Sequence, residues 1–100
     1  MITVEDKEGR SVIIIHGDFD TYLAKDAREL FAEVAESTQS DVEIDLKKTE
    51  FIDSSGIGAL VFLHKRLRCK GFNIQLKNVQ EQPFGLFTLL RIDQIMQITR

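Results

Sequence analysis

Ile2 and Val4 alternate with polar neighbours, and after Lys7-Glu8-Gly9-Arg10 the chain enters Ser11-Val12-Ile13-Ile14-Ile15-His16. The alternation fits a strand with one packed face. The β-branched run is too short for a helix and fits a strand buried on both faces. Together they predict a hairpin, with Gly9 able to take the positive φ that its turn requires. Gly17-Asp18-Phe19-Asp20-Thr21 ends the second strand, and Asp20 or Thr21 supplies an oxygen to cap a following helix. From Tyr22 to about Glu36, Leu23, Ala27, Leu30, Phe31 and Val34 fall on one helical stripe.

Beyond the polar loop Ser37-Thr38-Gln39-Ser40, Val42, Ile44 and Leu46 alternate with Glu43 and Asp45 as a strand with one wetter face. Asp53-Ser54-Ser55-Gly56 then opens a second helix that runs to about Lys70 and stops at Gly71. Its apolar stripe is Ile57, Leu60, Val61, His64 and Leu67, while Phe62 points nearly opposite, on a side with Gly58 and Cys69. Phe72, Ile74 and Leu76 predict another strand. Pro83 fits the first turn of a short helix from near Glu81 to near Leu89, and Ile95 to Ile98 a last strand. The order β-β-α-β-α-β-α-β implies right-handed βαβ crossovers and parallel pairing. The fold class is therefore α/β: one domain spanning residues 1–100, a mixed sheet of about five strands, and helices packed mainly on one face because two strands carry a polar side.

Composition narrows the function. The chain has 100 residues, 43% apolar, enough for one ordinary core, and a net charge of -3. The one basic cluster, Lys65-Arg66-Leu67-Arg68-Cys69-Lys70, sits at the end of a helix, where cations complement the dipole. Direct nucleic-acid binding would need a far more basic face. Cys69 is the single cysteine, so neither an internal disulfide nor a multi-thiol metal site is possible. No signal peptide opens the chain and no stretch approaches the ~20 apolar residues of a membrane span, so a cytoplasmic protein without membrane insertion is expected.

Chemistry-bearing residues give little support to catalysis. A Ser54, His64, Asp53 arrangement fails on distance, because ten helical residues separate Ser54 from His64, about 15 Å at ~1.5 Å per residue. His16 ends a separate strand, and two histidines alone make a weak metal case. Glu43 and Asp45 share a strand face at a spacing open to acid/base work, and solvated strand residues explain them better.

The informative segment is the junction at Ser54. Helix N-termini carry free N–H groups and partial positive charge, so a phosphate on a serine there need not disturb the fold. Gly56 and Gly58 leave the first turn bare, open to a second protein. A Ser-rich capping turn explains the same residues without any partner.

Phe51-Ile52-Asp53-Ser54-Ser55-Gly56-Ile57-Gly58-Ala59-Leu60 resembles the signature of STAS domains, in particular the bacterial anti-sigma factor antagonists. Gly17-Asp18-Phe19-Asp20 resembles the family's Gly-x-x-Asp turn, and the element order agrees from residue 1 to about 98. The resemblance implies a non-enzymatic protein that binds an anti-sigma factor with serine kinase activity and releases it once Ser54 is phosphorylated, a serine phosphatase resetting the cycle. It implies that Asp20 and its loop lie beside Ser54 on the partner-facing surface. Asp53 belongs to the motif as a local acceptor or kinase contact. The expected partner-binding set is Asp20, Asp53, Ser54, Ser55, Gly56, Gly58 and Phe62, with Phe62 as an aromatic anchor or, alternatively, tucked against a neighbouring helix. No cofactor is expected, since ATP would belong to the kinase. Many members of the family continue past the last strand into a further helix, whereas this sequence stops at Arg100. The alternatives are an unphosphorylated scaffold or regulatory STAS subunit of a larger signalling or lipid-transport assembly, and a small-ligand or nucleotide sensor.

Overall fold

The computed structural model describes residues 1–100. The elements in order are β1 (Ile2–Lys7), β2 (Arg10–His16), α1 (Thr21–Ser37), β3 (Val42–Lys48), α2 (Ser54–Arg68), β4 (Ile74–Lys77), α3 (Glu81–Leu89) and β5 (Gln97–Ile98), with a 3-10 turn at Ile92–Gln94 before β5. The five strands lie side by side in sequence order. β1 pairs antiparallel with β2, and β2, β3, β4 and β5 run parallel. Sequential order with parallel pairing is what successive βαβ crossovers produce.

In register, Ile13 faces Ile44 and Ile44 faces Leu76, while Leu76 faces Ile98. These residues, with Ile15, Val42, Leu46 and Ile74, floor one core that Ala24, Ala27, Phe31, Val34, Leu60, Leu63, Leu67 and Phe87 cover from the helices. The helices thus pack on one face, as the polar strand positions demanded. Phe19 and Phe31 meet edge to face there, with ring centroids 6.3 Å apart. On the opposite face Val12 is buried between its register partners Glu5 and Glu43, while Ile14 is half-buried. The expectation of a strand buried on both faces holds at Val12 and weakens at Ile14.

Several boundaries and stripes differ from the sequence pattern. β4 begins at Ile74 rather than Phe72, because Gly71 at φ 82 turns the chain first and Phe72 N–H bonds back to Leu67 O at 3.0 Å. β5 is only two residues, since Ile92–Gln94 coils and Met96 enters the core. In α2 the buried set includes Ala59 and Leu63, while Val61 is only half-buried. In α1, Ala24 and Ala35 are buried, whereas Leu23 and Leu30 are half-exposed. Small alanines let the helices approach each other, a packing signal that a stripe of large residues hides.

The basic cluster also has a more specific use than a solvated helix end. Lys70 Nζ donates to the carbonyls of Ala35, Glu36 and Thr38 at 3.0, 3.1 and 2.7 Å. α1 has no basic residue in its own last turn, so a cation from the end of α2 satisfies its orphan carbonyls.

Candidate functional site

Two parallel connections build the site. A register shift between Ile14 and His16 ends the regular β2–β3 ladder, and Thr49 Oγ1, fully buried, donates to Ile15 O at 3.1 Å. Beyond it the chains still run together. Gly17 N–H bonds to Lys48 O, Phe19 N–H to Phe51 O and Asp53 N–H to Phe19 O, at 3.0, 2.9 and 3.3 Å. Gly17 adopts φ 97, a conformation that a side chain would disfavour. The paired segments deliver Asp20 and Asp53 to adjacent helix starts.

Both aspartates are caps. Asp20 Oδ1 accepts from Leu23 N–H at 3.2 Å, and Asp53 Oδ1 accepts from Ser55 N–H at 2.8 Å and Gly56 N–H at 3.1 Å. Extended backbone at each position and a free N–H one turn on are what a capping carboxylate needs. The serines follow as the first helical residues. Their two hydroxyls have different fates: Ser55 Oγ is 3.0 Å from Thr21 Oγ1, joining the starts of α1 and α2. Ser54 is exposed, and its hydroxyl forms no hydrogen bond within the protein.

Gly56 corrects one expectation. It is buried, and a Cβ there would lie 2.5 Å from Phe19 O and 2.7 Å from Ile52 Cγ1. Its missing side chain lets α2 sit on the Phe19 backbone, so it offers no surface to a partner. Gly58 differs, because a Cβ there would meet only Arg28 Nη2, at 2.9 Å. Phe62 is half-buried and packs against the core edge, with the guanidinium carbons of Arg28 and Arg66 5.5 and 4.8 Å from its ring centroid. The reading of Phe62 as tucked between helices describes this better than a bare anchor does.

The sequence reading missed other residues. Gln82 holds the approach to the site from both sides: Ile52 N–H donates to its Oε1 at 2.9 Å, and its Nε2 donates to Ile52 O at 3.1 Å. Nothing in the pattern marks this long-range amide pair. Tyr22, 87% exposed beside Thr21, and Phe51, 43% exposed two residues before Asp53, are bare aromatics at the same end of the molecule. Both residues are visible in the sequence beside the motif, but their exposure is not, and large exposed aromatics are the kind of side chain that anchors interfaces.

His64 lies away from this end. It is buried, 7% exposed, with Nδ1 lacking a hydrogen-bond partner. Burial first, and the Arg68 charge second, hold its pKa below the usual histidine value. Asp45 is engaged structurally, its Oδ1 accepting from Lys47 N–H at 2.9 Å and Asn78 Nδ2 at 3.1 Å. The largest surface hollow, about 620 Å³, is lined by Glu50, Gln80, Glu81 and Gln82. It has no apolar wall and none of the hollows includes Ser54, which fits poorly with a small-ligand site. No helix is long and apolar enough to cross a membrane.

Comparison with known proteins agrees with this fold. A Bacillus subtilis anti-sigma-B factor antagonist is 30% identical over 98 residues, covering 98% of this chain and 89% of that protein. A Thermotoga maritima crystal structure, proposed to be an anti-sigma factor antagonist, superposes with a TM-score of 0.91 at 18% identity, covering 99% of this chain and 86% of that one. The phosphorylated form of the Bacillus cell-fate determinant SpoIIAA superposes with a TM-score of 0.78 at 16% identity, over 100% of this chain and 92% of that one. The STAS domain model matches residues 1–100, and the chain belongs to the STAS domain family.

Proposed function

We propose that this protein is an anti-sigma factor antagonist that binds an anti-sigma factor through the surface around Ser54 and loses that partner when Ser54 is phosphorylated. The observation that carries the reading is the contrast between neighbouring hydroxyls: Ser54 is exposed and unbonded, while Ser55 is tied to Thr21. A kinase active site must surround the acceptor oxygen, and Ser54 alone offers it without breaking a contact.

In the proposed step the partner kinase transfers the γ-phosphoryl of ATP to Ser54 Oγ. The Oγ–P bond forms, the bond from γ-phosphorus to the β,γ-bridging oxygen breaks, ADP leaves, and the hydroxyl proton passes to a base of the kinase or to water. The product adds about -1.5 to -2 charges at the centre of the docking surface. Asp53 already occupies the cap, so the phosphate is not needed by the helix and projects outward. The fold is expected to survive, while the partner meets charge and bulk where it met a hydroxyl. Tyr22 and Phe51 flank that point as apolar contacts, and Asp20 lies on the adjacent loop. A phosphatase of the serine class restores the hydroxyl by hydrolysis.

Incubation with an anti-sigma serine kinase and ATP, followed by peptide mass spectrometry, tests the assignment. One phosphate on Ser54 is expected, and Ser54→Asp should keep its circular dichroism spectrum while losing the partner. Phosphate on Ser55, or an unfolded Ser54→Asp protein, would count against the reading.

A further inference from the structure

Along α2, Ser54, Gly58, Phe62 and Arg66 recur every four residues and so share one stripe of the helix. Arg28 reaches over this stripe from α1. Its guanidinium carbon lies 5.5 Å from the Phe62 ring centroid, and Nη2 occupies the notch left by Gly58, 2.9 Å from where a Cβ would stand. The notch is one turn from Ser54, and side chains one turn apart on a helix have Cβ atoms about 5–6 Å apart.

Arg28 has no carboxylate partner. The one ion pair in the structure joins Lys7 to Glu5 on the far hairpin. The positions three and four residues from Arg28 on α1, which share its face, are Ala24, Lys25, Phe31 and Ala32, while the nearby carboxylates Asp26 and Glu29 form no ion pair with it. Arg66 approaches the same Phe62 ring to 4.8 Å, so two cations share one aromatic surface. An anion added to this stripe would relieve their repulsion. At the same time Asp53 holds the N–H groups of Ser55 and Gly56, so a phosphate on Ser54 finds a carboxylate in the cap rather than free donors. Repulsion from Asp53 and attraction to Arg28 act in the same direction.

We propose that Arg28 is the internal receptor for a phosphate on Ser54, pairing with it through the guanidinium fork and leaving Phe62 as it does so. The arginine fork matches phosphate oxygens better than an ammonium can, and the side chain is exposed and held by no ion pair. Modification at α2 would then alter the α1–α2 surface as well as the charge at Ser54. The inference deepens the proposed function and rests on the same serine.

The test places phosphoserine at position 54 during translation, so that it does not depend on any kinase. Phosphorus NMR then follows the second ionisation of the phosphate in the wild-type background, in Arg28→Gln, and in Lys77→Gln, a cation on β4 well away from the stripe. An ordinary phosphoserine titrates near ~6. The expected result is a midpoint lower by about half a unit or more in the wild type and in Lys77→Gln than in Arg28→Gln, the opposing upward push of Asp53 being common to all three. Equal midpoints in the wild type and Arg28→Gln would overturn the pairing. Phe62 ring resonances should move on phosphorylation in the wild type and stay in Arg28→Gln; an unmoved ring in the wild type would overturn the release of Phe62. Failure of a kinase to label Ser54 would sink the proposed function and leave these results standing.

Discussion

Gly56 and Gly58 lie two residues apart in the same helix, and adding a methyl group to each should have opposite effects. Glycine in a helix costs about 1 kcal/mol relative to alanine, so either substitution gains up to that amount from the backbone. The gain is smaller at Gly56, which lies in the first turn. A Cβ at Gly56 would stand 2.5 Å from Phe19 O and 2.7 Å from Ile52 Cγ1, well inside van der Waals contact. Neither neighbour can yield cheaply. Phe19 O accepts from Asp53 N–H, Phe19 N–H bonds to Phe51 O, and Ile52 and the Phe19 side chain are fully buried. Overpacking of this kind costs about 1–3 kcal/mol, and the rigid backbone on one side places Gly56→Ala near the top of that range. The net loss is about 2 kcal/mol, a fall of roughly 8–16 °C in Tm for a domain of this size. At Gly58 the methyl meets only the tip of Arg28, which can swing into solvent. Gly58→Ala should therefore hold its Tm or raise it by up to about 8 °C. Thermal melts by circular dichroism, supported by urea titration, read both values. A Gly56→Ala protein as stable as the wild type would refute the claim that α2 rests on the Phe19 carbonyl.

Asp53→Ala should lower stability by about 1–2 kcal/mol, because two N–H groups lose their acceptor; Asp20→Ala, with one longer bond, should lose less, as chemical denaturation would show. His64 makes stability depend on pH. Its folded pKa lies below the ordinary 6.5, so the unfolded chain binds the proton first as pH falls. Its contribution is complete above pH 6.5 and declines below it, at up to about 1.4 kcal/mol per pH unit until the folded histidine also protonates. His64→Leu should flatten that acid limb in melts from pH 7.5 to pH 5, and an unchanged limb would show that His64 does not titrate in this way.

Much of the fold was legible because its information is local. The alternation of Val42, Ile44 and Leu46, the β-branched run from Val12 to Ile15, and Pro83 in the first turn of α3 each fix an element through its own periodicity or dihedral preference. Errors arose where one element's shape depends on another. Ile14, expected to be buried like Val12, is only half-buried, and Ala24, Ala35 and Ala59 are core because helices approach closely at small residues. Lys70 looked like a complement to its own helix dipole, yet it caps α1, a contact across 35 residues to Ala35 that no periodicity encodes.

The site divides the same way. The motif marked the junction, and an aspartate before a helix is a local capping signal, yet the division of labour among its residues needed three dimensions. Ser54 and Ser55 are chemically identical and adjacent, and they part because helical geometry turns one hydroxyl toward Thr21 and the other toward solvent. Gly56 and Gly58 likewise look equivalent until Phe19 is placed beneath one and Arg28 beside the other. The expectation that a helix start welcomes an anion also changes once the cap is seen. Asp53 already supplies the anion and takes the N–H groups of Ser55 and Gly56, so the dipole is largely answered before any modification. A phosphate on Ser54 is then a second negative charge beside the first, at an exposed position, with Arg28 an unpaired cation across the stripe. Under the proposed function, that arrangement keeps the phosphate at the surface rather than absorbed by the helix, and it leaves the serine, not the cap, free to change state.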